Sequence, residues 1–377
     1  MSLHARIHFL NFARKLAVIS IFFLVPLHFL SLGFSGGQIG LIISCFALAP
    51  LLISLPTGWV NDRFSMTGII RGSLFIEILL LLLLAWAESF ILVAALFMLL
   101  GMANNALDVS LISLYYKDET AMDQNRKYGI YSFWMGLGPA VGVFAGGFLT
   151  KFGNFRVLFI AFALILIFTL FTVRKFDHEK FHVVSFRDYR RNLLRKKTIL
   201  FAAFTFILAL HWSVEGTVYS PFLQKNLGLK GIQISSYIAA GMMLLSISSF
   251  LIGLKRFDAR INKRMLLLAM GFSGGGLALM TIQNPWISFA FRAVHEIGDG
   301  FLGALITVTV SRLFEKKSIG GSAGALLAVQ VTAQMVGALV FAPLGFRLGL
   351  QYPFLICGAL LIANAFYGSL IFRRAEY

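Results

Sequence analysis

Four ionisable side chains lie within eight residues of one apolar segment near the C-terminal end of the chain. They are Arg292, His295, Glu296 and Asp299, and the surrounding residues 286–311 are otherwise apolar. On an α-helix, with about 100° of rotation per residue, the four side chains fall within an arc of roughly 100° on one face. Carboxyl, imidazole and guanidinium groups on one face can exchange protons or hold a charged solute.

The composition shows what kind of helix must position these charges. The chain of 377 residues is 58% hydrophobic and only 13% charged, and it contains 39 Phe. One soluble core cannot use so many apolar side chains, and the apolar runs recur at the length of about 20 residues that crosses a bilayer. We therefore predict an all-α polytopic membrane protein. The charged face must then look into protein or water rather than lipid.

Polar loops divide the chain into twelve predicted spans. Their approximate ranges are 11–32, 37–60, 68–87, 90–114, 128–150, 154–173, 199–223, 233–254, 264–283, 286–311, 322–345 and 352–372. No small-residue cleavage pattern follows the first span, so it is predicted to be a permanent helix rather than a signal peptide. Cys45 and Cys357 both lie in apolar runs, and they indicate neither a disulfide framework nor a metal site.

The net charge of +17 could indicate a nucleic-acid partner, so its distribution matters. Loops on the side of the N-terminus hold 27 of the 33 Lys and Arg residues, including Arg14 and Lys15, and the opposite side holds five. By the positive-inside rule, both termini are predicted to be cytoplasmic. The basic excess therefore reports orientation in a membrane, and no nucleic-acid partner is expected.

The second half of the chain repeats features of the first. Pairs with nearly constant spacing are Pro26 and Pro221, Gly33 and Gly228, Gln38 and Gln233, Gly58 and Gly253, and Phe159 and Phe354 (all 195 apart), Gly153 and Gly349 (196), and Gly101 and Gly298 (197). The spacing predicts two pseudo-symmetric six-helix bundles, residues 1–173 and 199–377. The basic linker 174–198 between them is either an amphipathic helix on the anionic inner leaflet or a solvated segment.

The loop after the second predicted span carries Gly58, Asp62 and Arg63 in the pattern Gly-x-x-x-Asp-Arg. The pattern resembles the signature Gly-x-x-x-Asp-Arg-x-Gly-Arg-Arg/Lys of the major facilitator superfamily, but residues 65–67 lack its glycine and its two basic residues. The run Gly138-Pro139-Ala140-Val141-Gly142 is similar to the Gly-Pro-x-x-Gly-Gly element of exporters in that family. Residues 146–159 resemble the family's connection between spans five and six. The resemblance covers the whole chain.

This resemblance implies a central cavity between two bundles, lined mainly by the first, fourth, seventh and tenth spans. It also implies that Asp62, assisted by Arg63, latches the inner gate. The glycines of the fifth span, among them Gly138 and Gly142 beside Pro139, mark close helix approach. Many proton antiporters of the family carry an arginine four residues before the glycine that corresponds to Gly101. Here that residue is Phe97, so coupling is expected at Asp108 or in the C-terminal half.

Polar side chains fall on the helices that the resemblance assigns to the cavity. The seventh span places His211, Glu215 and Tyr219 at i, i+4 and i+8, and the fourth places Asn104, Asn105 and Asp108 within roughly a 100° arc. The first span adds only His28, and Glu77 is an acid outside this set. At 1.5 Å per residue, the tenth-span charges lie roughly 9–15 Å below the outer boundary. Glu215 is expected at the same level, and Asp108 deeper as a second station.

The charges of these residues favour proton coupling. Asp108, Glu215, Glu296 and Asp299 against Arg292 give a formal total of −3 when both histidines are neutral. So much like charge at low dielectric favours protonation of at least one carboxyl group. In our hypothesis Glu296 or Asp299 carries the proton, Arg292 tunes it, and Glu215 competes for a proton or a cationic solute. The alternative is a static Arg292–Glu296 ion pair with Asp299 as a packing partner.

Three classes of function remain. The first is a secondary active transporter that exports a small organic or cationic solute, and the second is an uptake carrier or facilitator for a polar or anionic solute or a lipid-like amphiphile. The third is a non-transporting sensor or assembly protein, which five acids at lipid depth disfavour. The sequence has no nucleotide-binding Gly-x-x-x-x-Gly-Lys loop and no catalytic triad, so we expect neither an enzyme nor a cofactor. We expect the protein to be a monomer and to lie in the plasma membrane, that is, in a bacterial inner membrane.

Overall fold

The computed structural model describes residues 3–61, 63–117, 124–152, 154–173, 186–254, 259–315 and 319–371. These residues form helices and short turns, with no strand among them. Twelve long helices lie at the twelve predicted positions and are called the first to twelfth spans: Leu3–Ser31, Gly36–Asn61, Met66–Leu84, Phe90–Lys117, Gln124–Phe152, Phe155–Thr172, Lys196–Thr217, Ile232–Gly253, Ala259–Leu279, Pro285–Leu313, Ile319–Leu348 and Tyr352–Ile371. The predicted all-α membrane fold is confirmed.

Within the described ranges, 11 of these helices are long and apolar enough to cross a membrane. The ninth span is less apolar because its first turns contain Lys263 and Arg264. The seventh span is continued after Val218 by a short helix, Tyr219–Lys225. In the linker, Phe186–Leu193 forms a helix of eight residues, whereas residues 174–185 lie outside the described ranges.

The first span begins earlier than predicted, at Leu3 instead of residue 11. Arg14 is therefore the twelfth residue of the helix, and its side chain is completely buried in the bundle, whereas that of Lys15 is 11% exposed. The segment Lys15–Ile19 is π-helical. A π-helical turn contains one more residue than an α-helical turn and is frequent at functional sites.

The two bundles repeat the same turn between their first two spans. Gly33 and Gly228, a pair at the repeat offset of 195, have φ angles of +81° and +69°, which glycine adopts without strain. Next to each glycine, a glutamine closes the start of the following helix: the N–H of Ser35 donates to Oε1 of Gln38 at 2.9 Å, and that of Lys230 donates to Gln233 at 3.0 Å. The repeated residues thus build the same structure twice.

A second repeated turn has the same spacing. Asn154 and Gly349, also at the offset of 195, have φ angles of 122° and 136°. The predicted partner of Gly349 was Gly153, which lies outside the described residues. The structure pairs Gly349 with Asn154 instead, which keeps the offset constant.

The bundles meet along two helix pairs. The second span packs against the eleventh, where a methyl group added at Gly40 would lie 2.6 Å from the carbonyl oxygen of Ala338. The fifth span packs against the eighth, where a methyl group at Gly129 would lie 2.5 Å from Cα of Gly253. Small residues let the helix backbones approach this closely.

The fifth span also packs closely on the first span. A methyl group at Gly138 would lie 2.5 Å from the carbonyl oxygen of Phe12, and one at Gly142 would lie 2.8 Å from Cβ of Ser20. Pro139 lies between them, inside the helix. These contacts flank the π-helical turn of the first span and fix its position in the N-terminal bundle.

Candidate proton and solute site

The charged face of the tenth span points into the C-terminal bundle. Arg292, His295 and Glu296 are almost completely buried, and Asp299 is 8% exposed. The helix that positions them starts at Pro285, after Asn284 accepts hydrogen bonds from the backbone N–H groups of Trp286 and Ile287. Because these groups are buried, they require partners from neighbouring helices.

Arg292 binds two carboxylates at once. Its Nη1 lies 2.5 Å from Oε1 of Glu215 on the seventh span, and its Nη2 forms an ion pair with Oε1 of Glu296. The guanidinium also lies over the ring of Tyr219, with Cζ 4.3 Å from the ring centroid. The arginine thus joins the seventh and tenth spans, with Tyr219 against its face.

The two histidines contact Asp299 and Glu215. Nε2 of His211 lies 2.8 Å from Oδ2 of Asp299, and Nε2 of His295 lies 3.2 Å from Oε1 of Glu215. Ser273 of the ninth span donates from its hydroxyl to Oδ1 of Asp299 at 2.6 Å. No sequence pattern indicated Ser273, which lies next to a run of three glycines, because its role depends on how the ninth and tenth helices pack.

The hydrogen-bond partners of the two histidines indicate which ring nitrogens carry hydrogens. Nδ1 of His211 lies 2.5 Å from the carbonyl oxygen of Leu208, and Nδ1 of His295 lies 2.9 Å from that of Ser273. A carbonyl only accepts hydrogen bonds, so each Nδ1 carries a hydrogen. Each Nε2 faces a carboxylate, which also only accepts when it is ionised. One further proton is therefore shared by each histidine–carboxylate pair, His211–Asp299 and His295–Glu215.

Gly241 of the eighth span makes room for the carboxyl group of Glu296. A methyl group added at Gly241 would lie 3.0 Å from Oε1 of Glu296. At the offset of 195, Gly241 corresponds to Phe46 and Glu296 corresponds to Gly101. The N-terminal bundle therefore has the glycine on the opposite helix of the pair, where Gly101 lies against the backbone of Phe46. This contact pairs Gly101 with Glu296 rather than with Gly298, the predicted partner.

The fourth span forms a second charged cluster with the first span. Asp108 accepts from Nη2 of Arg14, and its Oδ2 lies 3.0 Å from Nζ of Lys15. Nη1 of Arg14 donates to Oδ1 of Asn104 at 2.6 Å. The predicted cavity charge of −3 left out Arg14 and Lys15, which were assigned to a loop because basic residues commonly flank a span.

Asn105 does not join this cluster. Its side-chain Nδ2 donates to Oγ of Ser54 on the second span at 2.7 Å. The structure thus brings Asn104 and Asp108 together and places Asn105 at a helix contact. On the first span, His28 stacks on Phe155 of the sixth span, with ring centroids 4.6 Å apart.

The structure describes the predicted inner latch only in part. Asp62 lies outside the described residues. Gly58 lies in the last turn of the second span, and Cζ of Arg63 lies 4.1 Å from the ring centroid of Trp59. The latch remains a prediction.

Two adjacent glycines of the ninth span provide a test of how the site is positioned. A methyl group at Gly276 would lie 2.5 Å from the backbone nitrogen of His295, whereas one at Gly275 would have no atom of the described residues within 4 Å. We expect Gly276→Ala to lower the free energy of unfolding by about 1–3 kcal/mol through overpacking and to reduce transport. Gly275→Ala is expected to be neutral or stabilising by up to about 1 kcal/mol. Unfolding from detergent micelles, followed by circular dichroism, checks this; equal effects of both changes would contradict it.

Comparisons with known proteins agree with this architecture. The family model described as the Major Facilitator Superfamily matches residues 7–260 and 205–376. The chain is 25% identical, over 352 residues, to "Multidrug resistance protein 2" of Bacillus subtilis (strain 168), covering 88% of this chain and 85% of that protein.

Solved structures of transporters have the same fold. The human organic anion transporter MFSD10 (TETRAN) matches with a TM-score of 0.74 and 14% identity, covering 98% of this chain and 100% of that one. The nucleoside transporter NupG matches with a TM-score of 0.73 and 15% identity, covering 100% of both chains. With the family model matched over nearly the whole sequence, the chain belongs to the Major Facilitator Superfamily.

Proposed function

We propose that this chain is a proton-coupled secondary active transporter that exports a small organic cation by alternating access. Membership of the superfamily makes it a multi-pass membrane transporter rather than an enzyme. The observation that carries the finer proposal is the pair of buried histidine–carboxylate contacts, His211–Asp299 and His295–Glu215, each of which can hold one proton between its two groups. Groups that hold a proton in a buried site can release it when the site opens to the other side of the membrane.

Each residue of the cluster has a distinct role in this proposal. Asp299, hydrogen-bonded to His211 and Ser273, carries the transported proton. Both glutamates bind Arg292, but Glu215 is slightly exposed and also contacts His295, whereas Glu296 is almost completely buried, so Glu215 exchanges its proton for the positive group of the solute. Arg292 keeps both glutamates in place and offsets part of their charge.

A cationic solute fits the formal charge of this bundle. The formal charge is −2 when both histidines are neutral and the three acids, Glu215, Glu296 and Asp299, are ionised opposite Arg292. Each proton that leaves the histidine–carboxylate pairs therefore adds one negative charge, which a positive group of the solute can neutralise. The name of the bacterial relative, a multidrug resistance protein, favours export of organic compounds. The Gly138-Pro139 element, similar to that of exporters, favours the same direction.

The distribution of basic residues and the bacterial relative support a location in a bacterial inner membrane with both termini in the cytoplasm. Division into bundles 1–173 and 199–377, with a linker 174–198, supplies the two bodies that move relative to each other, and the monomer is the transporting unit. An anionic solute held by Arg292 is disfavoured, because this side chain is completely buried and already binds two carboxylates.

Transport in proteoliposomes tests the proposal. We expect an imposed pH gradient to drive movement of a fluorescent cation such as ethidium. Asp299→Asn is expected to lower the initial rate at least about tenfold, which corresponds to about 1.4 kcal/mol in activation free energy. Glu296→Gln is expected to lower it less, since its charge is paired with Arg292. The exposed Glu88 supplies a matched control, Glu88→Gln, which should transport normally. Undiminished pH-driven transport in both cluster variants would reject the coupling site.

A further inference from the structure

We propose that Glu77 of the third span is a second proton site and the alternative partner of Arg14. When Glu77 loses its proton, Arg14 turns toward it and loosens its hold on Asp108, whose exposed side then binds the positive group of the solute. The proposal deepens the proposed function, on which it rests, by placing a second proton-for-cation exchange in the N-terminal bundle.

The first observation is the isolation of the Glu77 carboxyl group. The residue is 0% exposed, and neither carboxyl oxygen has a hydrogen-bond partner in the structure as described. An ionised carboxylate is far too costly in such a place, so the group holds its proton in this state. No packing role explains an acid here, since an apolar side chain would fill the same space at lower cost.

The second observation is that the charged groups around Glu77 include an incompletely satisfied arginine. Arg14 and Lys15 of the first span and Asp108 of the fourth interact electrostatically with Glu77. Nε of Arg14 is buried and has no hydrogen-bond partner among the residues that the structure describes. The sixth span, which also packs on the third, contributes only Arg156, and this residue donates to the carbonyl oxygen of Ala85 near the other end of the third span.

The third observation is that Asp108 is occupied in this state. One of its oxygens binds Arg14 and the other lies 3.0 Å from Nζ of Lys15. The side chains of Asp108 and Lys15 are 20% and 11% exposed, but that of Arg14 is 0% exposed. Because Arg14 is buried and Lys15 is partly exposed, a solute that reaches the exposed part of Asp108 competes with the ammonium group of Lys15.

Charge balance connects these observations. With Glu77 protonated, Arg14 and Lys15 outnumber Asp108 by one positive charge, which repels a further cation. Release of the Glu77 proton to water makes the four side chains neutral, and binding of a monovalent cation at Asp108 returns them to one positive charge. One proton therefore leaves for each monovalent cation that enters. The segment directly after Arg14, Lys15–Ile19, is π-helical, a form that is frequent at functional sites.

Counting protons tests the proposal. The probe is tetraphenylphosphonium, bound to the purified full chain in detergent, with titration calorimetry in two buffers of different ionisation heat. We expect the wild-type protein to release about one proton more per bound probe than Glu77→Gln, because glutamine imitates the protonated acid but cannot lose a proton. Glu88→Gln is the matched control and should release as many protons as the wild type.

The outcomes separate this proposal from the proposed function. Equal proton release by the wild type and Glu77→Gln, with the probe still bound, overturns the role of Glu77 and leaves transport coupling at Asp299 intact. Failure of the wild type to respond to a pH gradient overturns the proposed function itself.

A second variant covers the case in which Glu77→Gln does not fold. In Asp108→Asn, Arg14 has lost its carboxylate and should pair with ionised Glu77 without any probe. The infrared band of a protonated buried carboxyl group is then expected to be weaker than in the wild type. An unchanged band overturns the proposal.

Discussion

Replacing Arg292 by Met is expected to lower the free energy of unfolding by about 3–5 kcal/mol, the usual cost of leaving buried charges without their partner. Arg292 binds Glu215 and Glu296 and lies over the ring of Tyr219, so its loss leaves two carboxylates facing each other in an apolar environment. Methionine keeps much of the length of the side chain but none of its charge. Unfolding by increasing amounts of denaturing detergent, followed by circular dichroism, measures the change.

Two further variants identify the cause. Arg156 is an exposed arginine in the first turn of the sixth span, and Arg156→Met should change the free energy of unfolding by less than about 1 kcal/mol. Adding Glu215→Gln to Arg292→Met removes one of the two unpaired charges and should recover part of the stability. If Arg292→Met is as stable as Arg156→Met, the ion-pair network does not hold the bundle together.

Asp299→Asn is expected to make the binding of tetraphenylphosphonium less dependent on pH. A cation that displaces a proton binds about tenfold more tightly for each unit of rising pH, for every proton displaced. The wild-type affinity should therefore rise with pH, because the shared protons of the His211–Asp299 and His295–Glu215 pairs are easier to remove. An asparagine at this position cannot share a proton with His211 as a carboxylate does, so the slope should fall by about one logarithmic unit per pH unit. Dissociation constants between pH 6 and 8 supply the measurement.

The serine beside Asp299 provides the control for this experiment. Ser273→Ala removes the hydrogen bond to Oδ1 of Asp299 but leaves the contact with His211. Binding should become weaker at every pH, with the slope preserved. A wild-type affinity that does not change with pH would show that neither histidine–carboxylate pair exchanges its proton with the solute.

Most of the architecture could be predicted from the residue order. Apolar runs of about 20 residues between polar loops define the spans, because the bilayer imposes this length. The repeat at an offset of 195 predicts two similar bundles, and the matching turns at Gly33 and Gly228 follow from the backbone freedom of glycine. The predicted start of the first span, at residue 11 instead of Leu3, was wrong, because Arg14 and Lys15 resemble the basic residues that commonly flank a membrane helix.

The candidate site could be predicted only where it lies on one helix. The spacing of Arg292, His295, Glu296 and Asp299 fixes a common face whatever the surroundings are. Their partners depend on how separate helices pack, so the contact of Ser273 with Asp299 and that of Arg14 with Asp108 had no local signal. The offset of 195 aligns Phe97 with Arg292 and Asn104 with Asp299, which shows why one bundle carries the larger charged cluster. It could not show that Asp108 has partners of its own on the first span.

The π-helical turn Lys15–Ile19 separates two parts of the first span that are held by different contacts. Before the turn and at its first residue, Arg14 and Lys15 bind Asp108; beyond it, the rings of Phe22 and Phe29 pack against Phe97, with centroids 5.9 and 5.5 Å apart. One additional residue rotates one part relative to the other by about 100°. The span therefore cannot rotate as a single rigid rod while it keeps both sets of contacts, and a twist of one part relative to the other would have to occur at the turn.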